Sequence, residues 1–158
     1  MMKKYLHIIT SLDIGGAETM LLRLIKHKSN LVQSTTVISL TNNGKIGEAL
    51  EEIGVKVICL EIKSWSSVFK ALLKLKKIIR NERPTIVHTW MYHANIFGGI
   101  AAYLAKSQNI IWSIRRSEFT RKESLSTFIV MKIGAIFSSI IPKSIVHVAE
   151  SGLKNHQK

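Results

Sequence analysis

The sequence predicts an α/β domain with a Rossmann-like, three-layer architecture around a parallel sheet of about six strands. Short apolar runs alternate along the chain with segments whose apolar residues recur at helical spacing. The strand runs "TIVHTW" and "NIIWSI" are apolar on both faces, which is typical of a parallel sheet covered by helices on both sides. No low-complexity linker or short repeat interrupts the pattern, so we predict one domain over residues 1–158.

The periodicity places each element in order. We predict strands at residues 4–10, 35–41, 55–61, 85–90, 109–114 and 144–149. Helices are predicted at residues 16–28, 45–53, 66–81, 94–106 and 122–140, with another beginning near Ser151. In such a sheet, ligands bind beyond the carboxyl ends of the strands, near the point where the strand order reverses. Four loops meet at that edge, at residues 11–16, 41–44, 89–94 and 115–121.

Composition and cysteine content indicate a globular intracellular domain. The 158 residues suffice for one sizeable core, and 46% hydrophobic residues exclude a disordered chain. The single cysteine, Cys59, lies in an apolar run and allows no disulfide within the chain, so we expect a reducing cytoplasm. The amino terminus lacks the apolar core and cleavage site of a signal peptide.

The net charge of +13 is spread along both halves of the chain, so it belongs to the surface of the folded domain. Such a surface attracts polyanions, which include nucleic acid, anionic lipid headgroups and phosphorylated small molecules, and the sign of the charge does not distinguish them. The most apolar stretch, residues 125–141, is about one turn short of a comfortable membrane span. It also contains Lys132. We therefore expect a buried or surface-docked helix there.

The stretch "SLDIGGAET" joins the first strand to the first helix. Gly15 and Gly16 at this junction would let a ligand approach the backbone and leave the first helical N–H groups free for an anion. A tight strand-to-helix turn explains a glycine pair equally well. A dinucleotide site is excluded, because the turn lacks G-x-G-x-x-G and the second strand does not end in an acidic residue. A P-loop is excluded because no Gly-Lys-Ser/Thr sequence is present.

The loop after the fourth strand carries two histidines. His88 lies within or at the end of that strand, and we favour a core histidine satisfied by internal hydrogen bonds over a ligand-facing one. His93 lies at the strand-to-helix junction, where its imidazole can face a hydroxyl or phosphate in the crevice; helix capping is the alternative. We predict no metal site, because no cysteine or paired carboxylate accompanies these histidines.

Two basic segments are candidate binding surfaces. Arg115 and Arg116 follow the fifth strand directly, and forked guanidinium groups suit phosphate recognition; a solvated basic loop is the alternative. On the helix at 66–81, Lys70, Lys74 and Lys77 form a basic stripe that would face an anionic membrane, unless it is an ordinary solvated face. We predict no nucleic-acid partner, because base stacking requires clustered exposed aromatic residues and those here are scattered.

Together these segments resemble the N-terminal domain of the retaining glycosyltransferases of family four, which have the GT-B fold. The matching stretches are "HIITSLDIGGAETMLLRLI", "PTIVHTWMYHANIFGGIAA", "WSIRRSE" and "SIVHVAESGLKNHQ". They cover essentially the whole chain in the family's order.

The resemblance implies transfer of a sugar from a nucleotide-diphosphate sugar, with retention of configuration and with neither a cofactor nor a metal. Gly15 and Gly16 match the loop that approaches the donor diphosphate, and His93 matches the catalytic histidine near the sugar. The resemblance also places Glu18 and Asn95 on the acceptor side. Bacterial members commonly build lipopolysaccharide or other surface glycans on lipid-linked acceptors, which implies a cytoplasmic protein, peripheral on the inner face of the cytoplasmic membrane.

The chain ends at Lys158, where family members continue into a donor-binding domain with an E-x7-E motif that does not occur here in a comparable context. We therefore expect a fragment of a larger enzyme, or a partner chain that supplies the second half, and little or no transferase activity from these residues alone. The alternative function is a non-catalytic basic module that binds an anionic membrane or another polyanion. A sugar-nucleotide epimerase half with the same fold is disfavoured by the glycine loop.

Overall fold

A computed structural model describes residues 3–27, 29–114, 132 and 134–147. Within these residues, six strands form one parallel sheet in the order β3-β2-β1-β4-β5-β6. They are β1 (Tyr5–Ile9), β2 (Thr35–Ser39), β3 (Lys56–Cys59), β4 (Ile86–Trp90), β5 (Ile110–Ile114) and β6 (Ser144–His147). The predicted parallel, Rossmann-like sheet is confirmed.

The helices lie between the strands, as the periodicity predicts. They are α1 (Gly16–His27), α2 (Ser29–Val32), α3 (Gly44–Glu52), α4 (Trp65–Glu82) and α5 (Tyr92–Leu104). The short α2 was not predicted. Residues 134–138 are helical, in agreement with the end of the helix predicted at 122–140. Most of that helix, and the helix predicted from Ser151, lie outside the described residues.

Alternation along the strands directs side chains to the two faces of the sheet in turn. On one side, Ile9 and Val37 pack against Leu21 of α1 and Leu50 of α3; we call this the α1/α3 face. On the other, the α4/α5 face, strand residues including Ile8 and Trp112 share a core cluster with Leu75 of α4 and Ala101 of α5. Burial of each large apolar side chain stabilises the fold by roughly 1.5–3 kcal/mol.

Two glycines allow α5 to lie close to the sheet. A Cβ added to Gly98 would lie 3.0 Å from Cγ2 of Ile8, and one added to Gly99 would lie 2.8 Å from Nε1 of Trp112. Larger residues would therefore push the helix outward. This close packing fixes the amino end of α5 beside the carboxyl end of β4.

Candidate active site at the carboxyl edge of the sheet

The strand order reverses between β1 and β4. From β1 the chain passes through α1 and α2 to β2, which pairs with one side of β1, and β4 pairs with the other side. The loops after β1 and β4 therefore leave the sheet in opposite directions and open a crevice between them. The amino ends of α1 and α5 flank this crevice, and the positive ends of their helix dipoles favour a negatively charged ligand.

The two glycines of the first loop have different surroundings. Neither adopts a positive φ, so the turn itself does not require glycine. A Cβ on Gly15 would overlap the carboxylate of Glu18, whereas a Cβ on Gly16 would meet no other group of the described residues within 4 Å. The end of the Glu18 side chain therefore fills the space beside Gly15 and would have to move for a larger residue, whereas Gly16 presents open backbone at the first residue of α1. The backbone conformation thus gives no support to the tight-turn interpretation, and the ligand-binding interpretation stays a prediction.

Glu18 lies in the first turn of α1, where the positive end of the helix dipole favours a carboxylate. The residue is only 7% exposed, and its carboxylate turns back over Gly15. A phosphate bound at this end would share the helix terminus with that carboxylate. The acceptor-side role of Glu18 stays a prediction.

The loop after β1 is fixed by the loop after β2. The Asn42 amide donates to both carboxylate oxygens of Asp13, at 2.9 and 3.0 Å. The backbone N–H of Thr41 donates to the carbonyl of Thr10 at 3.1 Å, and that of Ile46 donates to the carbonyl of Leu12 at 3.0 Å. These contacts hold the glycine loop in place without a ligand. Binding would therefore lose less conformational entropy of the loop than it would if the loop were free. Sequence reasoning missed this contact, although "LTNNG" carried a turn signal.

His93 lies in the first turn of α5 and is exposed at the crevice edge. The helix begins two residues before the predicted start at 94, so His93 lies inside it. Partial burial lowers the pKa of His93 below its usual 6.5. The imidazole is then neutral at pH 7 and can exchange hydrogen bonds with a sugar hydroxyl.

Met91 links β4 to this helix in an unusual conformation. Its φ of 72° and ψ of 158° belong to a region that residues other than glycine rarely adopt. The Met91 N–H donates to the carbonyl of Ser113 at 3.1 Å, and its carbonyl accepts from the N–H of Asn95 at 2.8 Å. These two hydrogen bonds hold the turn that places His93 at the edge.

Asn95 is 2% exposed, and both ends of its side chain are occupied within the fold. Its Oδ1 accepts from the hydroxyl of Thr89 at 2.7 Å, and its Nδ2 donates to the carbonyl of Ser113 at 3.2 Å. The side chain therefore ties α5 to β4 and β5. Its predicted place on the acceptor side is not tested by this geometry.

Behind the crevice, His7, His88 and Trp90 form a ring cluster on the α1/α3 face. The ring centroids of His88 and Trp90 are 4.6 Å apart, and those of His7 and His88 are 5.3 Å apart. Nε2 of His88 lies 2.9 Å from the hydroxyl of Ser113. His88 is thus a hydrogen-bonded residue within the sheet, as favoured above. His7, whose position in β1 carried no signal, is buried at the strand junction.

The remaining predicted residues lie elsewhere. Arg115 and Arg116 are outside the described residues, and their role stays a prediction. Lys70, Lys74 and Lys77 are exposed on α4. In the described ranges, no group of three or more histidine, cysteine or acidic side chains could hold a metal ion.

No helix in the described part of the chain is long and apolar enough to cross a membrane.

The fold and the crevice define a Rossmann-like domain of the kind found in GT-B glycosyltransferases. The chain belongs to Glycosyltransferase Family 4, whose family model matches residues 14–133. This confirms the resemblance on which the site residues depend. No curated protein matches the sequence at a significant level.

Solved structures support the fold. Alr3699/HepE from Anabaena, solved with UDP-glucose, superposes with a TM-score of 0.79 at 14% identity, over 98% of this chain and 40% of that one. MurG from Acinetobacter baumannii gives a TM-score of 0.62 at 13% identity, over 94% and 42% of the two chains. A UDP-glucose 4-epimerase from Brucella ovis, solved with NAD, gives 0.51 at 11% identity, over 91% and 51%. The chain thus spans about half the length of these proteins or less.

Proposed function

We propose that this domain is the acceptor-side half of a retaining glycosyltransferase, and that it contacts the diphosphate of a nucleotide-sugar donor. The observation that carries the proposal is the open space over Gly16 at the first residue of α1, in a chain that belongs to Glycosyltransferase Family 4. HepE was solved with UDP and with UDP-glucose, which supports a uridine-diphosphate sugar as the first donor to test.

In this proposal, each predicted site residue has a defined task. The N–H groups at the start of α1 would donate to the diphosphate, and the absence of a side chain on Gly16 would allow that approach. Neutral His93 would accept or donate a hydrogen bond at the transferred sugar. Arg115 and Arg116 would add positive charge, and Glu18 and Asn95 would support the acceptor side. We propose no metal and no cofactor for this reaction.

We further propose a lipid-linked or other glycan acceptor in the synthesis of a surface polysaccharide or lipopolysaccharide, at the cytoplasmic face of the membrane. The high positive charge of the chain supports an anionic membrane as the neighbouring surface. A second domain, or a partner chain, would supply the groups that neutralise the leaving diphosphate, which is usually the largest catalytic contribution.

The donor proposal is tested by titrating the ¹⁵N-labelled 158-residue chain with UDP-glucose and following its backbone amides by NMR. We expect saturable shifts at residues 15–18 and 92–95, because these amides surround the crevice. Uridine, which lacks the diphosphate, is the matched control and should leave the amides of 15–18 in place. Shifts confined to other parts of the chain, or equal shifts with uridine, would contradict the proposal.

The retaining outcome requires a separate measurement. The longest product that the gene encodes would be supplied with donor and acceptor, and the anomeric configuration of the product read by NMR. An inverted anomer would exclude the retaining mechanism while leaving the donor site intact. Reading the coding sequence beyond the codon for Lys158 shows whether a domain with E-x7-E follows.

The alternative is a non-catalytic basic module that binds an anionic membrane. It is favoured by one observation, the exposure of Lys70, Lys74 and Lys77 on α4. It predicts vesicle binding without any UDP-glucose shift at residues 15–18.

A further inference from the structure

The edge of the sheet opposite the crevice carries two adjoining cavities. The larger, of about 540 Å³, lies between the carboxyl ends of α4 and α5. The smaller, of about 200 Å³, lies beside the first residues of β1, β2 and β3. Pro84 lines both cavities, so they meet at that residue, and we call the two together the amino-edge groove. None of the residues assigned to the crevice lines it, so it is a separate place in the fold.

The charged side chains that line the amino-edge groove are mostly positive. They are Lys4, Lys56, Arg80, Arg83 and Lys106. The acidic lining residue is Glu82, whose Oε1 atom lies 2.6 Å from Nζ of Lys56, so its charge is already balanced. Within the described part of the chain, Arg80, Arg83 and Lys106 form no ion pair. The larger cavity therefore collects positive charge that these residues leave uncompensated.

The helix dipoles account for only part of this charge. The carboxyl ends of α4 and α5 lie at the larger cavity, and each carries about half a negative charge. The two ends together thus offset about one of the three cations there. Within the described residues, the side chains of Arg83 and Lys106 also make no hydrogen bond to the helix carbonyls. An anionic ligand would supply the charge that the fold leaves out.

Two of these cations hold strained backbone positions. Arg83 has a φ of 47° and Lys106 a φ of 62°, in the left-handed region that favours glycine. Glycine is the usual residue where a helix ends in this way. Here α4 and α5 each end next to a long cationic residue instead, and both side chains line the same cavity. Strain of this kind is concentrated at binding sites, so it indicates a task for the two side chains.

We propose that the amino-edge groove binds an acidic oligosaccharide, a chain of sugars that carry carboxylates. The forked guanidinium groups of Arg80 and Arg83 match the geometry of a carboxylate. Ser107 and Gln108 line the same cavity and can exchange hydrogen bonds with sugar hydroxyls. The last carbonyls of a helix have no helical partner, so they accept from hydroxyls as well. Because two cavities adjoin, an extended ligand fills the groove better than a single small ion.

A nucleic acid fits the lining less well. Single-stranded nucleic acid is held by bases stacked on exposed aromatic side chains. The aromatic residue of the lining is Tyr5, which is half-buried at the start of β1. An acidic oligosaccharide needs no such stacking, because carboxylates and hydroxyls carry its recognition.

The location of the groove gives this binding a consequence. The crevice lies at the carboxyl edge of the sheet and the amino-edge groove at the other, so the two can be occupied at once. The protein would hold a distant part of an acidic polysaccharide while the crevice acts on the end of that chain. This consequence rests on the proposed function, whereas the oligosaccharide binding itself does not.

The test titrates the ¹⁵N-labelled 158-residue chain with pentagalacturonate and follows the backbone amides by NMR. We expect saturable shifts at residues 80–83 and 105–109, and weaker binding at high salt. Galactopentaose, which lacks the carboxylates, is the matched ligand control and should leave these amides in place. Absence of saturable binding, or equal shifts with galactopentaose, would overturn the proposal.

A charge-matched pair of variants separates the groove from the total charge. Arg80→Gln, Arg83→Gln with Lys106→Gln should weaken pentagalacturonate binding by about 10- to 100-fold, from the usual contribution of three exposed charge pairs. Lys70→Gln, Lys74→Gln with Lys77→Gln removes the same charge from exposed positions of α4 outside the groove. This control should keep at least half of the wild-type affinity. An equal loss in both variants would show a response to net charge, and the proposal would be wrong.

A second variant keeps the test independent of folding. Arg83→Gly with Lys106→Gly removes two cations and relieves the left-handed strain, so it should be at least as resistant to urea as the wild-type chain. Its affinity for pentagalacturonate should nevertheless fall by about 3- to 30-fold. Wild-type affinity in this folded variant would contradict the role of the two side chains.

A competing ligand checks the class of partner. An oligothymidylate with five phosphates should bind more weakly than pentagalacturonate. If it binds at least as tightly and shifts the same amides, the groove recognises nucleic acid and the proposal is wrong. UDP-glucose is titrated separately and read at residues 15–18, so failure of this proposal is distinguishable from failure of the donor site.

Discussion

The indole Nε1 of Trp90 donates a 3.1 Å hydrogen bond to Nδ1 of His7, across the two strands that border the crevice. Because Nδ1 accepts, neutral His7 carries its proton on Nε2. Protonation of His7 would add the second proton at Nδ1. It would therefore break the hydrogen bond from Trp90 within the buried interior of the protein. Burial, with His88 beside it, accordingly lowers the pKa of His7 from 6.5 to about 3.

This relationship predicts an acid-sensitive fold. Between pH 6.5 and about 3 the unfolded chain binds a proton at His7 and the folded chain does not, so the free energy of unfolding falls as the pH falls. The contribution of unprotonated His7 to the free energy of unfolding is fully present above pH 6.5. It decreases by about 1–2 kcal/mol by about pH 5. The measurement is urea unfolding over this range. His7→Gln keeps an acceptor for Trp90 but does not titrate, so its pH dependence should be shallower. An identical slope in the variant would contradict the assignment.

The glycine pair predicts two opposite responses to alanine. Gly16→Ala places a Cβ in open space at the start of α1, so the free energy of unfolding should stay the same or rise by about 0.5–1 kcal/mol. Its amide shifts with UDP-glucose should nevertheless be lost, because the new methyl group occupies the proposed path of the diphosphate. Gly15→Ala must displace the Glu18 carboxylate and should lower the free energy of unfolding.

Both alanine variants are compared by urea unfolding and by the UDP-glucose titration. Unchanged donor binding in a folded Gly16→Ala variant would mean that the open space over Gly16 is not part of the donor site. A destabilised Gly16→Ala would mean that the residue serves the turn after all.

A second pair of glycines tests the packing of α5. Gly99→Ala would bring a Cβ to 2.8 Å from Nε1 of Trp112, an overlap that should lower the free energy of unfolding by about 1–3 kcal/mol. Gly134 is the control, because a Cβ there meets Ile96 at an ordinary 3.6 Å in a helical segment. Gly134→Ala should raise the free energy of unfolding by about 0.5–1 kcal/mol. Relative to the wild-type protein, the melting temperatures of the two variants should change in opposite directions. A change in the same direction would contradict the packing argument.

The sequence predicts the sheet well, because each fully buried parallel strand corresponds to a short apolar run in the sequence, with turn residues at its ends. The predicted strands all occur, and within the described residues their ends differ from the predicted ones by at most two residues, as at β1, predicted from 4 to 10 and found at Tyr5–Ile9. The start of α5 was placed two residues late, since no periodicity reveals that Met91 turns the chain with a positive φ.

The candidate site was only partly predictable. The location of Gly16 and His93 at the carboxyl edge follows from the strand-to-helix junctions where they lie, because the topology brings these junctions to one edge; their roles stay predictions. The bond between Asp13 and Asn42 joins residues 29 positions apart, and no local pattern encodes it. The same limit applies to Asn95: the family resemblance placed it on the acceptor side, and its contacts with Thr89 and Ser113 depend on tertiary packing that no local pattern encodes.

Met91 provides the last prediction, which concerns strain next to His93. A residue held at φ 72° and ψ 158° costs about 1–3 kcal/mol when it carries a side chain, and glycine adopts this conformation without that cost. Met91→Gly should therefore be more stable than Met91→Ala by about 1 kcal/mol, although glycine usually destabilises a position beside a helix. Urea unfolding of the two variants measures the difference, and because both remove the same exposed side chain, the comparison isolates the backbone. If the alanine variant is the more stable one, the turn that positions His93 is not strained.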